Sequence, residues 1–286
     1  MYQTKSTKTT VADVIAQRFI SALEAGTAPW QKPWVSVSPQ NAVRKTPYTG
    51  VNAFTLAFFG TDDYYLTFNQ VKALGGKIEE GTQALPIQFW SKVEDKKSKT
   101  GKEFMFARFY KVFPLNKCGL PNFPRANKVI TFTPVEQAEA LLANNSTPVT
   151  FGGSSAYYVP SHHAINIPSR ESFKSVDKFY ATIFHEIGHS LMSTEQRALG
   201  SNSFGSEGYA KEELVAELFA SLCLNHCGLL SDTTFDHNAS YIANWLETLK
   251  NDKSLISKAS TEAFRRFKAF TKANEEAETE EADAVA

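Results

Sequence analysis

The sequence predicts an α+β protein with two domains, and three observations lead to this prediction. Its 286 residues, 42% of them hydrophobic, are enough to form two cores. Residues 1–128 carry 18 Lys and Arg against 9 Asp and Glu, whereas residues 129–286 carry 12 against 21. The acidic half contains the pattern His-Glu-x-x-His at residues 185–189. We therefore expect a basic first domain that meets a polyanion and a second domain that carries a metal site.

The His-Glu-x-x-His pattern predicts that two histidines bind one ion from the same face of a helix. Residues four apart lie one turn above each other on an α-helix, so the imidazoles of His185 and His189 can point into one cavity. Glu186 follows the first histidine and is the candidate general base, which would take a proton from the attacking water. The sequence thus indicates a hydrolytic metal site with an open position for substrate.

The helix around this motif is predicted to be buried. Apolar residues recur with helical spacing on the faces that flank the two histidines, and Ser175 is a candidate N-cap. Gly188 is a poor helix former and costs about 1 kcal/mol relative to alanine. We expect it to face the metal cavity, where a side chain would intrude.

The third metal ligand is expected from a second helix, at residues 211–222. This segment is strongly apolar, so a glutamate that faces the protein interior has to be paired or bound to metal. We predict Glu213 as the metal ligand and Glu217, one turn later, as the acceptor that orients one of the histidines. Glu212 is the alternative ligand if the helix is rotated by one residue.

The segment before the motif helix predicts two short strands around a turn, the second at residues 164–167. A strand beside a metal cleft can pair with an extended peptide, so we expect this strand to form a substrate-binding edge. His162 and His163 are more typical of turn residues than of substrate contacts. Tyr157 and Tyr209 are weaker candidates for stabilising an oxyanion.

The basic half begins with an amphipathic helix at residues 9–25, after which aromatic side chains alternate with positive charge. Bases of a single strand stack on aromatic rings for about 1–3 kcal/mol each, and Lys and Arg bind the phosphates. The alternative, that the two tryptophans of this segment belong to the core, is equally compatible with the sequence. The candidate DNA-binding residues are Trp30, Lys32, Trp34, Arg44, Lys45, Tyr48, Lys72 and Lys77.

Further elements follow from composition and pattern. Residues 86–90 and 104–113 alternate as the two strands of a hairpin with a charged tip, and residues 114–130 read as a proline-containing linker. Helices are predicted at residues 134–144, 241–250 and 254–273. The expected units are residues 1–125 as the basic domain, residues 126–273 as the metal-binding domain, and residues 274–286 as an acidic, disordered tail.

Composition also bears on location and on a second metal site. No apolar run approaches the ~18 residues that a membrane span needs, and the polar start lacks a signal-peptide pattern. Three cysteines argue against a disulfide framework and fit a reducing compartment, so we expect a cytoplasmic protein. Cys223, His226 and Cys227 are more typical of a packed helix that ends at Gly228 than of metal ligands. The oligomeric state stays open.

Both halves resemble known families. The motif helix followed by Glu213-Leu-Val-Ala-Glu217-Leu-Phe-Ala resembles the zincin metallopeptidases whose third ligand is a glutamate. Residues 23–34, 47–52 and 66–81 are similar to the N-terminal single-stranded-DNA-binding domain of the ArdC antirestriction family. Over residues 8–286 the chain resembles this family and the related TraC-type proteins of conjugative plasmids.

The resemblance implies a single-stranded-DNA-binding antirestriction protein that protects incoming plasmid or phage DNA and has a zinc metallopeptidase site. One Zn²⁺ is the implied cofactor, and the same ligands would accept Mn²⁺ or Co²⁺. Single-stranded DNA is the implied partner, with a host restriction-system protein as a further one. The alternative is a DNA-coating protein whose metal site is structural or vestigial. Glu186 favours a peptidase, because a structural site needs no general base.

Overall fold

The computed structural model describes residues 11–31, 39–94, 103–125, 133–193, 207–231 and 239–285. The first half contains α1 (Val11–Glu24), β1 (Gln40–Asn41), β2 (Thr46–Pro47), α2 (Gly50–Phe59), β3 (Tyr64–Thr67), α3 (Phe68–Ala73), β4 (Leu85–Glu94) and β5 (Glu103–Pro114). The second half contains α4 (Pro134–Leu142), β6 (Val149–Phe151), β7 (Tyr157–Val159), β8 (Ala164–Ile167), α5 (Val176–Ser190), α6 (Glu207–Cys227), α7 (Ala239–Asn251) and α8 (Leu255–Val285). The α+β architecture predicted from the sequence is confirmed.

The first sheet has the strand order β2-β1-β3-β5-β4 and is dominated by the β4–β5 hairpin. This hairpin extends the predicted one at both ends, and its charged tip lies outside the described residues. Ile87 pairs with Tyr110 and Phe89 with Arg108, so these four side chains share one face of the hairpin. Ile87 is buried on this face, whereas the rings of Phe89 and Tyr110 remain about half exposed.

The second sheet has the order β6-β8-β7, with β8 parallel to β6 and antiparallel to β7. The prediction that residues 164–167 form a substrate-binding edge is therefore wrong, because β8 is hydrogen-bonded on both sides. The sequence showed the β7–β8 hairpin but gave no sign that β6 returns to the other side of β8. Among the described residues, β7 lies at the outer side of this sheet, and α5 packs against both β7 and β8.

One hydrophobic core extends through both halves of the chain. Trp30 lies at its centre with no exposed surface, stacked on Phe19 at 6.3 Å between centroids and edge-on to Trp245 of α7 at 5.2 Å. The prediction that Trp30 stacks on DNA is corrected here, because a ring without exposed surface cannot receive a base. The aromatic side chain instead joins the two halves. Trp34 and Lys32 lie outside the described residues.

The ends of the predicted linker and tail also differ from expectation. Arg125, in the predicted linker, packs back on the first half and donates to both carboxylate oxygens of Asp62 at 2.8 Å. The backbone of α8 stays helical to Val285, where a disordered tail was expected, and alanine and glutamate, which dominate its end, are good helix formers. No helix in the described part of the chain is long and apolar enough to cross a membrane.

The position of Trp30 predicts a stability defect rather than a selective binding defect. Trp30→Ala should lower the free energy of unfolding by about 3–5 kcal/mol, because it leaves a large cavity between the halves. Trp30→Phe should cost less, since it keeps the ring contacts and removes an indole N–H that has no hydrogen-bond partner among the described residues. Denaturant unfolding measures both. A stable Trp30→Ala variant with lost DNA binding would contradict this assignment.

Candidate metal centre and nucleic-acid groove

Helices α5 and α6 bring the three predicted metal ligands together. His185 Nε2 lies 3.1 Å from His189 Nε2, and each of these atoms lies 3.5 Å from a carboxylate oxygen of Glu213. The three ligand atoms all lie within 4.8 Å of one another. A tetrahedral ion with bonds of about 2.0–2.1 Å separates its ligand atoms by about 3.3 Å. The donor set and its spacing therefore fit a zinc-like divalent ion.

The neighbouring glutamates lie behind the histidines. Glu212 Oε1 is 3.4 Å from His189 Nδ1, so Glu212 faces the far side of this imidazole, whereas Glu213 faces its Nε2 side. Glu217 Oε1 is 3.9 Å from His185 Nδ1, beyond hydrogen-bond length, and acts on that ring mainly through its charge. The hydrogen bond to Glu212 orients the His189 ring and makes its Nε2 a better ligand, whereas Glu217 supports His185 through its charge.

A residue that the sequence reasoning missed holds this arrangement from the back. Arg266 of α8 is 1% exposed and donates to both carboxylate oxygens of Glu212, at 2.6 and 3.0 Å. It also donates to the carbonyl oxygen of Gly188 at 2.7 Å. Since Arg266 follows the ligands by more than 50 positions, no local pattern connects them. The available signal was Glu212 itself, an acid in an apolar helix that required a cationic partner.

The electrostatics of the centre favour a positive charge. Burial lowers the pKa of His185, but the carboxylates of Glu213, Glu217 and Glu186 outweigh it and raise the pKa to about 9. Burial likewise raises the pKa of Glu213, yet the two histidines hold it below its usual range. Glu186 is itself buried, next to the first ligand. This concentration of carboxylates around two imidazoles would attract a divalent cation.

Gly188 serves a purpose other than the one predicted. A Cβ at this position would lie 3.1 Å from the Cα of Ala216 and 3.1 Å from Cδ1 of Phe219. The missing side chain therefore allows α5 and α6 to approach closely, and it does not clear the metal cavity. The sequence could not distinguish these reasons, because both place a glycine beside the histidines.

We predict different effects for the two neighbouring glutamates. Glu213→Gln should remove most of the metal affinity because it replaces a charged ligand, whereas Glu212→Gln should cost about 10–100-fold because it weakens the support of His189 and the pairing with Arg266 but removes no ligand. Calorimetric titration with Zn²⁺ measures both, with Glu247→Gln as an exposed control on α7. The assignment would be overturned if Glu212→Gln lost the metal and Glu213→Gln kept it.

A groove of about 980 Å³ lies between the β4–β5 hairpin, the β1–α2 segment and α8. The rings of Phe89 and Tyr110 lie in its wall, 45% and 43% exposed, in edge-to-face contact at 5.8 Å. Four cationic side chains line it, two from each half of the chain, and these are Arg44, Arg108, Arg265 and Lys268. Exposed aromatic rings among cations are typical of single-stranded nucleic acid sites.

The predicted DNA-binding residues are distributed unevenly with respect to this groove. Arg44 lines it, whereas Lys45, Lys72 and Lys77 are exposed outside its lining. Tyr48 lies in the groove wall with only 6% of its surface exposed, and its hydroxyl accepts a bond from Asn41 at 3.4 Å. Tyr48 as a base-stacking residue is therefore corrected, because its ring belongs to the core.

Sequence reasoning missed both rings and three of the four cations that line this groove. Phe89, Arg108 and Tyr110 alternate in register on one face of the predicted hairpin, and that pairing was the signal available. Lys268 and Arg265 come from the acidic half, so the charge balance pointed away from them.

Comparison with known proteins supports both halves. Residues 9–113 match the family model of the N-terminal domain of anti-restriction factor ArdC. Residues 136–262 match the model of a zincin-like metallopeptidase.

Relatives that align with most of this chain include two proteins named DNA primase TraC from Escherichia coli. They are 33% and 34% identical over 279 and 278 residues, which cover 88% and 87% of this chain but only 19% and 26% of the relatives. The chain thus spans about a fifth to a quarter of their length. The uncharacterized protein y4eC of Sinorhizobium fredii is 28% identical over 288 residues. The alignment covers 91% of this chain and 91% of that protein.

Two solved structures are similar over nearly the whole fold. The metal-free crystal structure of the antirestriction ArdC protein from the R388 plasmid has a TM-score of 0.76 at 29% identity and covers 92% of this chain and 97% of that chain. The Mn(II)-bound structure of the same protein has a TM-score of 0.74 at 28% identity, with 92% and 98% covered.

Proposed function

We propose a function for this chain from the premise that it belongs to the ArdC-like antirestriction proteins, with a zincin-like metallopeptidase domain as its second half. It binds single-stranded DNA in the groove and protects incoming plasmid or phage DNA from restriction. Its metal centre hydrolyses a peptide bond in a protein partner, for which a host restriction-system protein is the candidate. The observation that carries the DNA-binding role is the pair of exposed rings set among cations in the groove.

The groove favours a single strand over a duplex. Bases in a duplex are already stacked on each other, whereas those of a single strand are free to stack on Phe89 and Tyr110. Arg44 and Arg108 approach from the first half, and Arg265 and Lys268 from α8, so phosphates on either side of the bases would meet a cation. Binding of this kind releases counterions and weakens with added salt.

The metal centre supports peptide hydrolysis. His185, His189 and Glu213 would hold the ion, which when bound supplies Lewis-acid polarisation of a peptide carbonyl and of a water. Glu186 would take a proton from the attacking water and pass it to the leaving amine. Zn²⁺ suits this donor set, and Mn²⁺ is the second ion to test because the similar ArdC protein was solved with Mn(II).

A second candidate function is DNA coating alone, with a structural or vestigial metal site. It is favoured by the separation of the two sites, because none of the residues that line the groove is a metal ligand. Protection by coating would need the groove but not Glu186.

We predict that groove variants weaken binding of a labelled oligothymidylate. Phe89→Ala and Tyr110→Ala should each cost about 5–150-fold, the equivalent of about 1–3 kcal/mol for one stacked base. Arg108→Ala should lower the slope of log affinity against log salt by about 0.7, because it removes one phosphate contact to a single strand. Fluorescence anisotropy over a salt series measures all three variants.

The matched control for these variants is Lys111→Ala, which removes an exposed cation of the same strand from outside the groove lining. It should leave the affinity and the salt slope nearly unchanged. Equal losses in Lys111→Ala and Arg108→Ala would show that binding depends on overall charge and that the groove is not the site.

We predict that Glu186→Gln abolishes protection in a cellular antirestriction assay. The substitution keeps size and polarity but removes the base, so metal content and oligothymidylate affinity should match the wild type and have to be measured first. Protection that persists at the wild-type level in this variant would refute the peptidase role and establish DNA coating as the function.

A further inference from the structure

Helix α8 separates the two sites and contributes to both. Thr261, Phe264, Arg265 and Lys268 have the i, i+3, i+4, i+7 spacing of one helix face and line the groove. Arg266 points away from that face, is almost completely buried, and holds Glu212 behind the metal ligand His189. Adjacent residues of one helix thus face the DNA groove and the metal centre.

Glu262 connects these two arginines. Arg265 donates to it through Nε at 2.9 Å and through Nη2 at 2.7 Å, and Arg266 donates to the same carboxylate through Nε at 3.0 Å. The two arginines hold the pKa of Glu262 down at about 2 against the effect of burial. A continuous series of charged contacts therefore runs from the groove through Glu262, Arg266 and Glu212 to His189.

We propose that a single strand in the groove and the metal ion bind with positive coupling, transmitted through Glu262, Arg266 and Glu212. This inference rests on the proposed binding of single-stranded DNA and specifies how that binding regulates the metal centre. The observation that supports the coupling is that both arginines donate to the carboxylate of Glu262. A change in its bonds to Arg265 therefore changes its bond to Arg266.

The direction of the coupling follows from competition between acceptors. Arg265 has a 57% exposed side chain, so a phosphate in the groove can take over its donors from Glu262. Glu262 then bonds to Arg266 alone and competes more strongly with Glu212 for that guanidinium. Glu212 becomes a better acceptor for the Nδ1 proton of His189, which makes Nε2 a stronger metal ligand.

The buried position of Arg266 keeps this redistribution inside the network. Its side chain is 1% exposed, so water is not available to replace a bond that one carboxylate gives up. The bond from Arg266 to the Gly188 carbonyl also fixes the guanidinium on α5 while the carboxylates exchange. Arg266 therefore has to compensate a change in its bond to Glu262 through its bonds to Glu212.

The test measures Mn²⁺ affinity by calorimetry, with and without saturating oligothymidylate, in the full chain. Wild type should bind Mn²⁺ about five-fold more tightly with the strand present, and by linkage the Mn²⁺-loaded protein should bind the strand more tightly by the same factor. Glu262→Gln should bring both factors close to one, because an uncharged amide no longer holds the two arginines together.

Two groove variants on α8 form a matched pair. Arg265→Ala and Lys268→Ala each remove one groove cation, but Arg265 is bonded to Glu262 whereas Lys268 lies over the Phe264 ring at 5.9 Å. Both should weaken strand binding. Lys268→Ala should keep the five-fold coupling, and Arg265→Ala should lose it.

The outcomes separate this proposal from the function on which it rests. If wild type binds both ligands but Mn²⁺ affinity is unchanged or weakened by the strand, the coupling is refuted and the proposed function stands. If coupling persists in Arg265→Ala, transmission through Glu262 is refuted. If oligothymidylate fails to bind even the Mn²⁺-loaded wild type, the proposed DNA function fails and the coupling fails with it.

Discussion

The close approach of α5 and α6 is the constraint on which the metal centre depends. Two ligands come from α5 and one from α6, so their spacing is set by the distance between the helices. That distance is short because Gly188 has no side chain where it meets Ala216. A glycine inside a helix costs about 1 kcal/mol, and here the burial of two apolar helix faces and a bidentate Arg266–Glu212 pair offset that cost.

The same contact explains why Arg266 is buried. Its guanidinium reaches the carbonyl of Gly188 on α5 and the carboxylate of Glu212 on α6, so a third helix is fixed to both. A buried guanidinium is tolerable only when it is paired, and four bonds to these two groups and to Glu262 involve all three of its nitrogens. The metal centre is therefore supported from a helix that supplies none of its ligands.

Local chemistry was predictable from the sequence, and long-range partners were not. His185, His189 and Glu213 follow from helical spacing and from the cost of burying an acid, both of which act within one turn. Trp30 and Tyr48 were misassigned because an aromatic residue beside cations has the same local pattern in a core and on a surface. Only tertiary packing distinguishes these cases, as the contact of Trp30 with Trp245 shows.

The charge balance of the two halves also failed to predict which residues come together from distant parts of the chain. The net excess of positive charge in residues 1–128 predicts a polyanion partner, but it indicates only the half of the groove that the first half of the chain provides. Arg265 and Lys268 come from the acidic half, because α8 packs against α2 and completes the groove wall. The two family models match separate halves of the chain, but the hydrophobic core is continuous through both of them.

The buried charges around the centre argue that it functions with a cation. Four glutamates, residues 186, 212, 213 and 217, surround two imidazoles, and Arg266 neutralises only Glu212. The same carboxylates raise the pKa of His185 to about 9, so the centre stabilises positive charge. A divalent ion held by His185, His189 and Glu213 would balance two of the three remaining carboxylates. The proposed hydrolytic role uses Glu186 as the base beside that ion.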